Sequence, residues 1–252
     1  MSRYFLFDLG LSVKIGCINN WRGECLMKKI LVAVTNVSKY PDLARPTGAW
    51  LGEVVHFADE FYKAGYEIDY VSPEGGFVPI DPASLQEDFM SDVDWKYYTD
   101  HKFMTQLNHS YKPDEVHAED YEVIYYAGGH GVMWDFAKDK GLIELAEKIY
   151  SDNGYVTGVC HGPAGLLNIK NDGQNLIKGK RVAGFSNSEE SQMGVEDNLP
   201  YLLEDALKDK GGEYEKGDDW SSFVVTDGRL ITGQNPQSAQ QVALDTLKAL
   251  GH

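Results

Sequence analysis

Short apolar segments of strand length alternate with helical patterns along most of this 252-residue chain. Strands separated by helices pair in parallel, because each crossover helix returns the chain to the same edge of the sheet. The principal buried strands are predicted at residues 30–35, 67–72, 123–127 and 155–160, with shorter strands at 181–183, 223–226 and 230–232. Helices are predicted at residues 51–64, 140–152, 161–168 and 239–250. The alternation therefore predicts a doubly wound α/β fold with a mostly parallel sheet.

One domain is predicted over residues 27–252, preceded by an N-terminal extension over residues 1–26. Met27 directly precedes the first apolar strand, so our hypothesis is that the extension packs poorly and that translation starts at Met27. Residues 77–120 interrupt the alternation and are rich in Asp, Lys and aromatic residues. Because the aromatic content argues against disorder, we predict a short helical lid inserted between the second and third strands.

The charge balance of 23 basic against 39 acidic residues gives a net charge of −16. A chain of this charge is repelled by nucleic acid and by anionic membranes, and neither is expected as a partner. Three scattered cysteines cannot form a disulfide framework, which favours a reducing, cytoplasmic setting. No apolar stretch reaches the length of about 18 residues that a membrane helix needs, so no membrane span is expected.

Cys160 stands where a buried strand turns into a helical pattern, within Gly158-Val159-Cys160-His161-Gly162. Small residues on both sides of a nucleophile are typical of a nucleophile elbow, a strained strand-to-helix turn. At a helix N-terminus the macrodipole favours the thiolate, so a lowered pKa is expected for Cys160. The alternative is a buried cysteine that acts only as a small hydrophobic side chain. His161, next to it, is either an acid/base group that reaches over the turn or an exposed histidine of the first turn.

Three further segments carry candidate functional groups. Gly128-Gly129-His130-Gly131 follows a buried strand, and its backbone N–H groups are candidates for an oxyanion hole, whereas His130 is more typical of a structural loop histidine. Glu53 lies in the first turns of the first helix, at the sheet edge expected for Cys160. Near a thiolate, its carboxyl would be pushed towards the protonated form and could relay a proton, but a solvated glutamate is the simpler interpretation. Glu189 or Glu190, after a later strand, could orient His161.

Taken together, the chain resembles the PfpI superfamily, whose members are also described as class I glutamine amidotransferase-like. The resemblance covers residues from Met27 to the C-terminus and favours the branch of heat-shock chaperone-like glyoxalase III proteins. It is carried by these segments, which occur in this order: Thr47-Gly48 to Glu53 and His56, Ser72-Pro73-Glu74-Gly75-Gly76, Ala127-Gly128-Gly129-His130-Gly131, Val159-Cys160-His161-Gly162-Pro163-Ala164, Gly184-Phe185 with Glu189-Glu190, and Asp227-Gly228-Arg229-Leu230-Ile231-Thr232-Gly233-Gln234-Asn235-Pro236.

This resemblance implies a flavodoxin-like domain, usually dimeric, that carries a Cys-His-Glu site. Cys160 matches the family nucleophile, His161 its partner and Glu53 the acid that hydrogen-bonds the cysteine. Glu190 matches the third member of the site by its position six residues after Gly184, although Glu189 is adjacent. The implied reaction converts methylglyoxal or glyoxal to D-lactate or glycolate without glutathione, cofactor or metal. The implied partners are small dicarbonyl compounds and a second copy of the chain.

Other functions remain open from the sequence. The chain could be a holding chaperone or protein deglycase that acts on unfolded or glycated proteins, or an oxidation sensor that uses Cys160. Glutamine amidotransferases bring a His and a Glu together late in the chain, but the only histidine after Asp205 is His252, which argues against this activity. None of the seven histidines shows close metal-ligand spacing, which argues against a metal site.

Overall fold

Six strands form the central sheet in the computed structural model, which describes residues 17–19, 25–27 and 29–252. Most of the predicted extension over residues 1–26 lies outside the described residues. The strands are β1 (Cys17–Asn19), β2 (Cys25–Met27), β3 (Lys29–Ala33), β4 (Ile68–Val71), β5 (Tyr121–Tyr126), β6 (Tyr155–Val159), β7 (Lys170–Asn171), β8 (Gln174–Asn175), β9 (Arg181–Val182), β10 (Glu213–Tyr214), β11 (Val224–Asp227) and β12 (Leu230–Gly233). The helices are α1 (Leu51–Lys63), α2 (Asp92–Tyr98), α3 (His101–Leu107), α4 (Val132–Asp135), α5 (Lys140–Ser151), α6 (Asn187–Met193), α7 (Leu203–Asp209) and α8 (Ala239–Ala249).

The strand order in the central sheet is β4-β3-β5-β6-β12-β11. The first five strands are parallel, and β11 pairs antiparallel with β12 at the edge. After β4, the chain crosses to the other side of β3, so the topology reverses between β3 and β5. In sheets of this kind, ligands bind at the carboxyl ends of the strands beside the reversal. The predicted doubly wound, flavodoxin-like fold is confirmed.

Helices cover both faces of the sheet. Helices α1 and α8 pack against each other, and α8 also contacts β6 and β12. Helix α5 contacts β5 and β6. Because parallel crossovers are right-handed and the two halves run in opposite directions, α1 and α5 lie on opposite faces. The strands between these layers are almost wholly buried, and every residue of β5 is buried.

Helix α1 positions one functional group, and its limits follow from the sequence. It begins at Leu51, and Gly65 follows its end with φ of +87°, a left-handed conformation that costs glycine little. The helix buries residues on most of its circumference, including the acidic Glu53 in its first turn. A buried carboxyl in a helix that otherwise supplies core residues is a candidate for function, because burial of a charge is costly.

Residues 77–120 contain α2, α3 and four short 3₁₀ helices, in keeping with the predicted helical insert. Helix α2 packs on α1, and α3 packs on β4. Only the first part of the insert, around Ala83, Gln86 and Phe89, borders the cavity that contains Cys160. Most of this insert is therefore packed against the domain rather than over the cavity.

The predicted strands and three of the four predicted helices are present, with ends that differ by one or two residues, and the exception is the segment after Cys160. There, a 3₁₀ helix spans Gly162–Asn168 in place of the predicted helix over 161–168. The sequence interpretation also missed α6 and α7, which are only seven residues long. Among the described residues, no helix combines the length and the apolar character needed to cross a bilayer.

Gly162→Ala is expected to destabilise the fold. A Cβ atom at this position would overlap the main-chain carbonyl oxygen of Tyr126 in the neighbouring strand. Overpacking of this kind costs about 1–3 kcal/mol, or more where a backbone must move. Gly52→Ala is the matched control, because its Cβ would have no neighbour closer than 3.5 Å and alanine favours the helix. Urea unfolding should show a lower free energy of unfolding for Gly162→Ala only, and equal stability of the two variants would contradict this.

Candidate active site

Cys160 occupies a strained turn at the carboxyl end of β6. Its φ of +57° is uncommon for a residue with a Cβ atom and costs conformational energy. Two backbone hydrogen bonds hold the turn. The N–H of Cys160 donates to the carbonyl of Gly233 at 3.0 Å, and its own carbonyl accepts from the N–H of Phe185 at 2.8 Å. The geometry is that of a nucleophile elbow, in which the turn fixes the direction of the sulfur.

His161 links the sulfur to a carboxylate. Its Nδ1 lies 3.3 Å from Sγ of Cys160, and its Nε2 lies 2.6 Å from Oε2 of Glu190. Because the carboxylate needs a donor, Nε2 carries the proton, which leaves Nδ1 of the neutral ring free to accept the thiol proton. The adjacent histidine therefore does reach over the turn to the sulfur.

Glu190 binds two histidines, one through each oxygen. Oε1 lies 2.7 Å from Nε2 of His130, and Oε2 takes the hydrogen bond from His161. Burial alone would raise the pKa of Glu190, but attraction to His161 and hydrogen bonds from both rings outweigh burial and hold the pKa well below its ordinary value. Burial and the nearby His161 lower the pKa of His130. Glu190 is thus a permanent carboxylate that fixes the tautomer of both rings.

Glu189, the neighbouring candidate, has a structural environment instead. Its carboxylate accepts hydrogen bonds from Ser186, the backbone N–H of Trp220 and the side-chain amide of Asn235. These bonds cap α6 and join it to the loop before β11. In this geometry Glu190, and not Glu189, is the partner of His161.

Glu53 also interacts with the Cys160 thiol and is fully buried. Its Oε2 accepts the backbone N–H of Gly128 at 2.6 Å, while Oε1 has no hydrogen-bond partner among the described protein atoms. Burial raises the pKa of this carboxyl to about 8, although contacts with the Cys160 thiol and the Gly128 N–H act in the opposite direction. At neutral pH Glu53 is therefore mostly protonated and can donate a hydrogen bond.

Burial also raises the pKa of the Cys160 thiol well above its ordinary value. The Glu53 carboxyl group adds to this effect, and the backbone N–H of His161 opposes it. The prediction of a lowered pKa is therefore wrong for the resting site, because burial outweighs the turn. A thiol with a raised pKa needs a base to remove its proton during attack, and Nδ1 of His161 is placed for that role.

The glycine loop after β5 has two distinct uses. The N–H of Gly128 donates to Glu53 at 2.6 Å and is therefore not free to bind an oxyanion in this geometry. Gly129 borders the cavity beside Cys160 and remains the candidate oxyanion donor. His130 also borders the cavity, but its Nε2 binds Glu190. No local sequence pattern indicates this pairing, since 60 residues separate His130 from its partner.

A cavity of about 520 Å³ opens above the sulfur. Its walls are largely aromatic and apolar, and they comprise Trp50, Phe89, Phe185, Met193, Trp220 and Pro236. Trp220 has φ of +59°, an outlier for so bulky a residue. The Glu189 carboxylate holds its backbone N–H at 2.9 Å, and Gln192 accepts its indole N–H at 2.7 Å. The fold thus accepts backbone strain to place Trp220 in the wall of the cavity that contains Cys160.

Two imidazole nitrogens and one carboxylate form a donor set of the kind that Zn²⁺ accepts. The ligating atoms of His130, His161 and Glu190 all lie within 4.8 Å of one another. The nitrogen–oxygen distances of 2.6 and 2.7 Å are those of direct hydrogen bonds. A metal ion would have to displace both histidine protons and separate these groups.

Residues 47–249 match the DJ-1/PfpI family. The chain is 37% identical over 234 residues to Glutathione-independent glyoxalase HSP31 of Saccharomyces cerevisiae, which covers 88% of this chain and 98% of the relative. It is 35% identical to Glyoxalase 3 of Candida albicans, with the same coverage. The crystal structure of glyoxalase III from Candida albicans superposes with a TM-score of 0.81 at 34% identity, over 88% of this chain and 97% of that one. Rapid Encystment Protein 24 KDa of Francisella tularensis gives 0.85 at 37% identity, over 90% and 100%.

The free energy of unfolding of Glu53→Gln is expected to increase relative to that of wild type as the pH rises. The folded carboxyl has a pKa of about 8, against 4.5 for an unperturbed glutamate. Between these values the folded state holds a proton that the unfolded state has lost, so wild-type stability falls with rising pH. The amide of the variant does not titrate, so the variant does not lose this stability. The loss in wild type amounts to about 1.4 kcal/mol for each pH unit between the two pKa values.

Urea unfolding at several pH values between about 5 and about 8 measures this difference. Glu67→Gln is the control, because the Glu67 side chain is 80% exposed. A difference in stability between wild type and Glu53→Gln that does not change with pH would show that Glu53 is ionised in the folded state.

Proposed function

The chain belongs to the DJ-1/PfpI family, and on that premise we propose that it is a glutathione-independent glyoxalase. It converts methylglyoxal to D-lactate and glyoxal to glycolate, with the reaction class of a hydro-lyase. The observation that carries this proposal is that the Cys160 sulfur, which borders a cavity, interacts with two proton-transfer groups. Nδ1 of His161 lies 3.3 Å from the sulfur, and the buried Glu53 carboxyl interacts with the thiol.

The first step is addition of the thiol to the aldehyde carbon. The sulfur–carbon bond forms as the carbonyl π bond breaks, and Nδ1 of His161 takes the thiol proton and returns it to the new alkoxide oxygen. Glu190 holds the ring in the required tautomer and stabilises its transient positive charge. Gly129 is the candidate donor to the developing oxyanion. The product is a hemithioacetal bound to Cys160.

The second step is a proton transfer between the two carbons of the substrate. Glu53 gives its carboxyl proton to the C2 carbonyl oxygen and, now ionised, removes the proton from C1, which gives an enediol. It then returns that proton to C2 and is ready to take the hydroxyl proton of C1. C1 is oxidised and C2 is reduced within one molecule, so no external electron carrier takes part. A carboxyl with a pKa near neutrality is well suited to both directions of this transfer.

The last step is hydrolysis of a thioester. Loss of the hydroxyl proton at C1 leaves a 2-hydroxyacyl group on Cys160, and water attacks it with His161 as general base. The carbon–sulfur bond breaks, the sulfur regains its proton, and the 2-hydroxy acid leaves. Cys160 thus fills the role that a free thiol would otherwise fill, which is why the proposed reaction needs no glutathione.

Cys160→Ala is expected to abolish the formation of lactate from methylglyoxal in the absence of glutathione. The nucleophile of every step is then missing, and the loss should exceed about 10³-fold in kcat/KM. Lactate is measured by enantioselective chromatography, and far-ultraviolet circular dichroism confirms folding. Met104→Ala, in α3 of the insert, is a control that should keep its activity. Equal lactate formation by wild type and Cys160→Ala would refute the proposal.

His130→Asn is expected to lower kcat by about 10-fold to 100-fold, a smaller loss than that of His161→Asn. The substitution removes one of the two hydrogen bonds that orient Glu190, but leaves the contact between His161 and the sulfur. His109→Asn, an exposed histidine, is the matched control. Wild-type kcat in His130→Asn would show that the shared carboxylate does not need its second partner.

A further inference from the structure

Among the residues that the structure describes, Arg45 is the only lysine or arginine that borders the Cys160 cavity. Its side chain is partly buried, and within residues 29–252 it forms no ion pair with an acidic side chain within 4.0 Å. Some other basic side chains in this part of the protein do pair, as Lys63 does with Asp59 and Glu60. The cavity wall thus includes an arginine without a carboxylate partner.

A series of ring contacts connects Arg45 with His130 and His161. The guanidinium carbon lies 5.6 Å from the ring centroid of Tyr40, and that ring lies 5.7 Å from the ring of His130. The His130 and His161 rings are 4.2 Å apart. The carbonyl of Arg45 also accepts the N–H of Tyr40 at 3.1 Å, which closes the turn that presents the side chain. Arg45 is therefore separated from His161 by two rings, at the other end of the cavity wall.

The cavity is larger than the simplest dicarbonyl compounds require. Its volume of about 520 Å³ lies in the range of sites that enclose ligands of drug size. Besides Arg45, its polar walls include the neutral amides of Gln86 and Gln237, which offer hydrogen bonds without charge. A substrate that filled this space would have its aldehyde at Cys160 and a second group near Arg45.

The net charge of the protein bears on what the Arg45 guanidinium could bind. With a net charge of −16, the protein repels anions from most of its surface. The unpaired guanidinium of Arg45, among apolar walls, can instead attract an anion to the cavity. The guanidinium is planar and matches a carboxylate with two parallel hydrogen bonds, and such pairs are stronger where water is excluded.

We propose that the site prefers α-oxoaldehydes whose second substituent ends in a carboxylate, which Arg45 binds. This rests on the proposed glyoxalase function and names the substrate class of the same site. The reaction is unchanged, since the distant carboxylate exchanges no bond or proton with Cys160. The carboxylate contributes binding and orientation only.

The first experiment compares 4-carboxyphenylglyoxal with 4-methylphenylglyoxal, which has a neutral group of similar size in the same position. Wild type should show a kcat/KM at least about tenfold higher for the carboxylate, and Arg45→Gln should bring the ratio close to one. Arg45→Lys should keep part of the preference, because it keeps the charge but not the planar fork. Lys39→Gln, an exposed cation in the same loop, should leave the ratio as in wild type. Because each ratio is taken within one variant, a general loss of activity does not affect it.

An equal ratio in wild type and Arg45→Gln would overturn the inference, while turnover of methylglyoxal would still support the proposed function. If no oxoaldehyde is turned over, the proposed function fails, and binding decides the inference separately. Calorimetry on Cys160→Ala should then show tighter binding of 4-acetylbenzoate than of 4-methylacetophenone. In the double variant that also carries Arg45→Gln, the two affinities should be equal. Equal affinities for the two ligands would overturn the preference for an anion.

Discussion

The contact between the buried carboxyl of Glu53 and the thiol of Cys160 is the constraint on which the chemistry of the site depends. Both acids lie in a volume from which water is excluded, and burial raises the pKa of each. The Glu53 carboxyl raises the pKa of the thiol further, whereas the hydrogen bond with the thiol acts against burial at Glu53. The pair therefore remains largely protonated at neutral pH and holds its protons until a substrate arrives.

The fold produces this contact through its topology. The reversal of strand order brings the start of α1, the loop after β5 and the turn after β6 to one edge of the sheet. Gly128 allows the close approach, because a Cβ atom there would lie 2.6 Å from a carboxyl oxygen of Glu53. The Glu190 carboxylate fixes His161 and His130. A neutral acid that interacts with the thiol and a permanent carboxylate linked to it through His161 thus belong to one site, and their different environments separate their pKa values.

Local patterns in the sequence predicted most of the fold and the strained turn at Cys160, because strand periodicity and an elbow are properties of consecutive residues. The motif at Cys160 predicted the turn, and the start of α1 predicted which sheet edge Glu53 would occupy. The pairing of His130 with Glu190 depends on contacts across the fold, which no local pattern contains. The predicted direction of the shift in the Cys160 pKa was wrong for a related reason, since the degree of burial is set by the whole site and not by the turn. No sequence pattern indicated the positive φ of Trp220 either.

Infrared difference spectroscopy of the Glu53 carboxyl tests the protonation of the site most directly. Spectra of wild type minus Glu53→Gln isolate its C=O stretch and allow it to be followed from mildly acidic to mildly alkaline pH. We expect the band of a protonated carboxylic acid at neutral pH, which converts to a carboxylate band near pH 8. A carboxylate band already present at mildly acidic pH would contradict this, because Glu53 would then have no proton to donate to the sulfur.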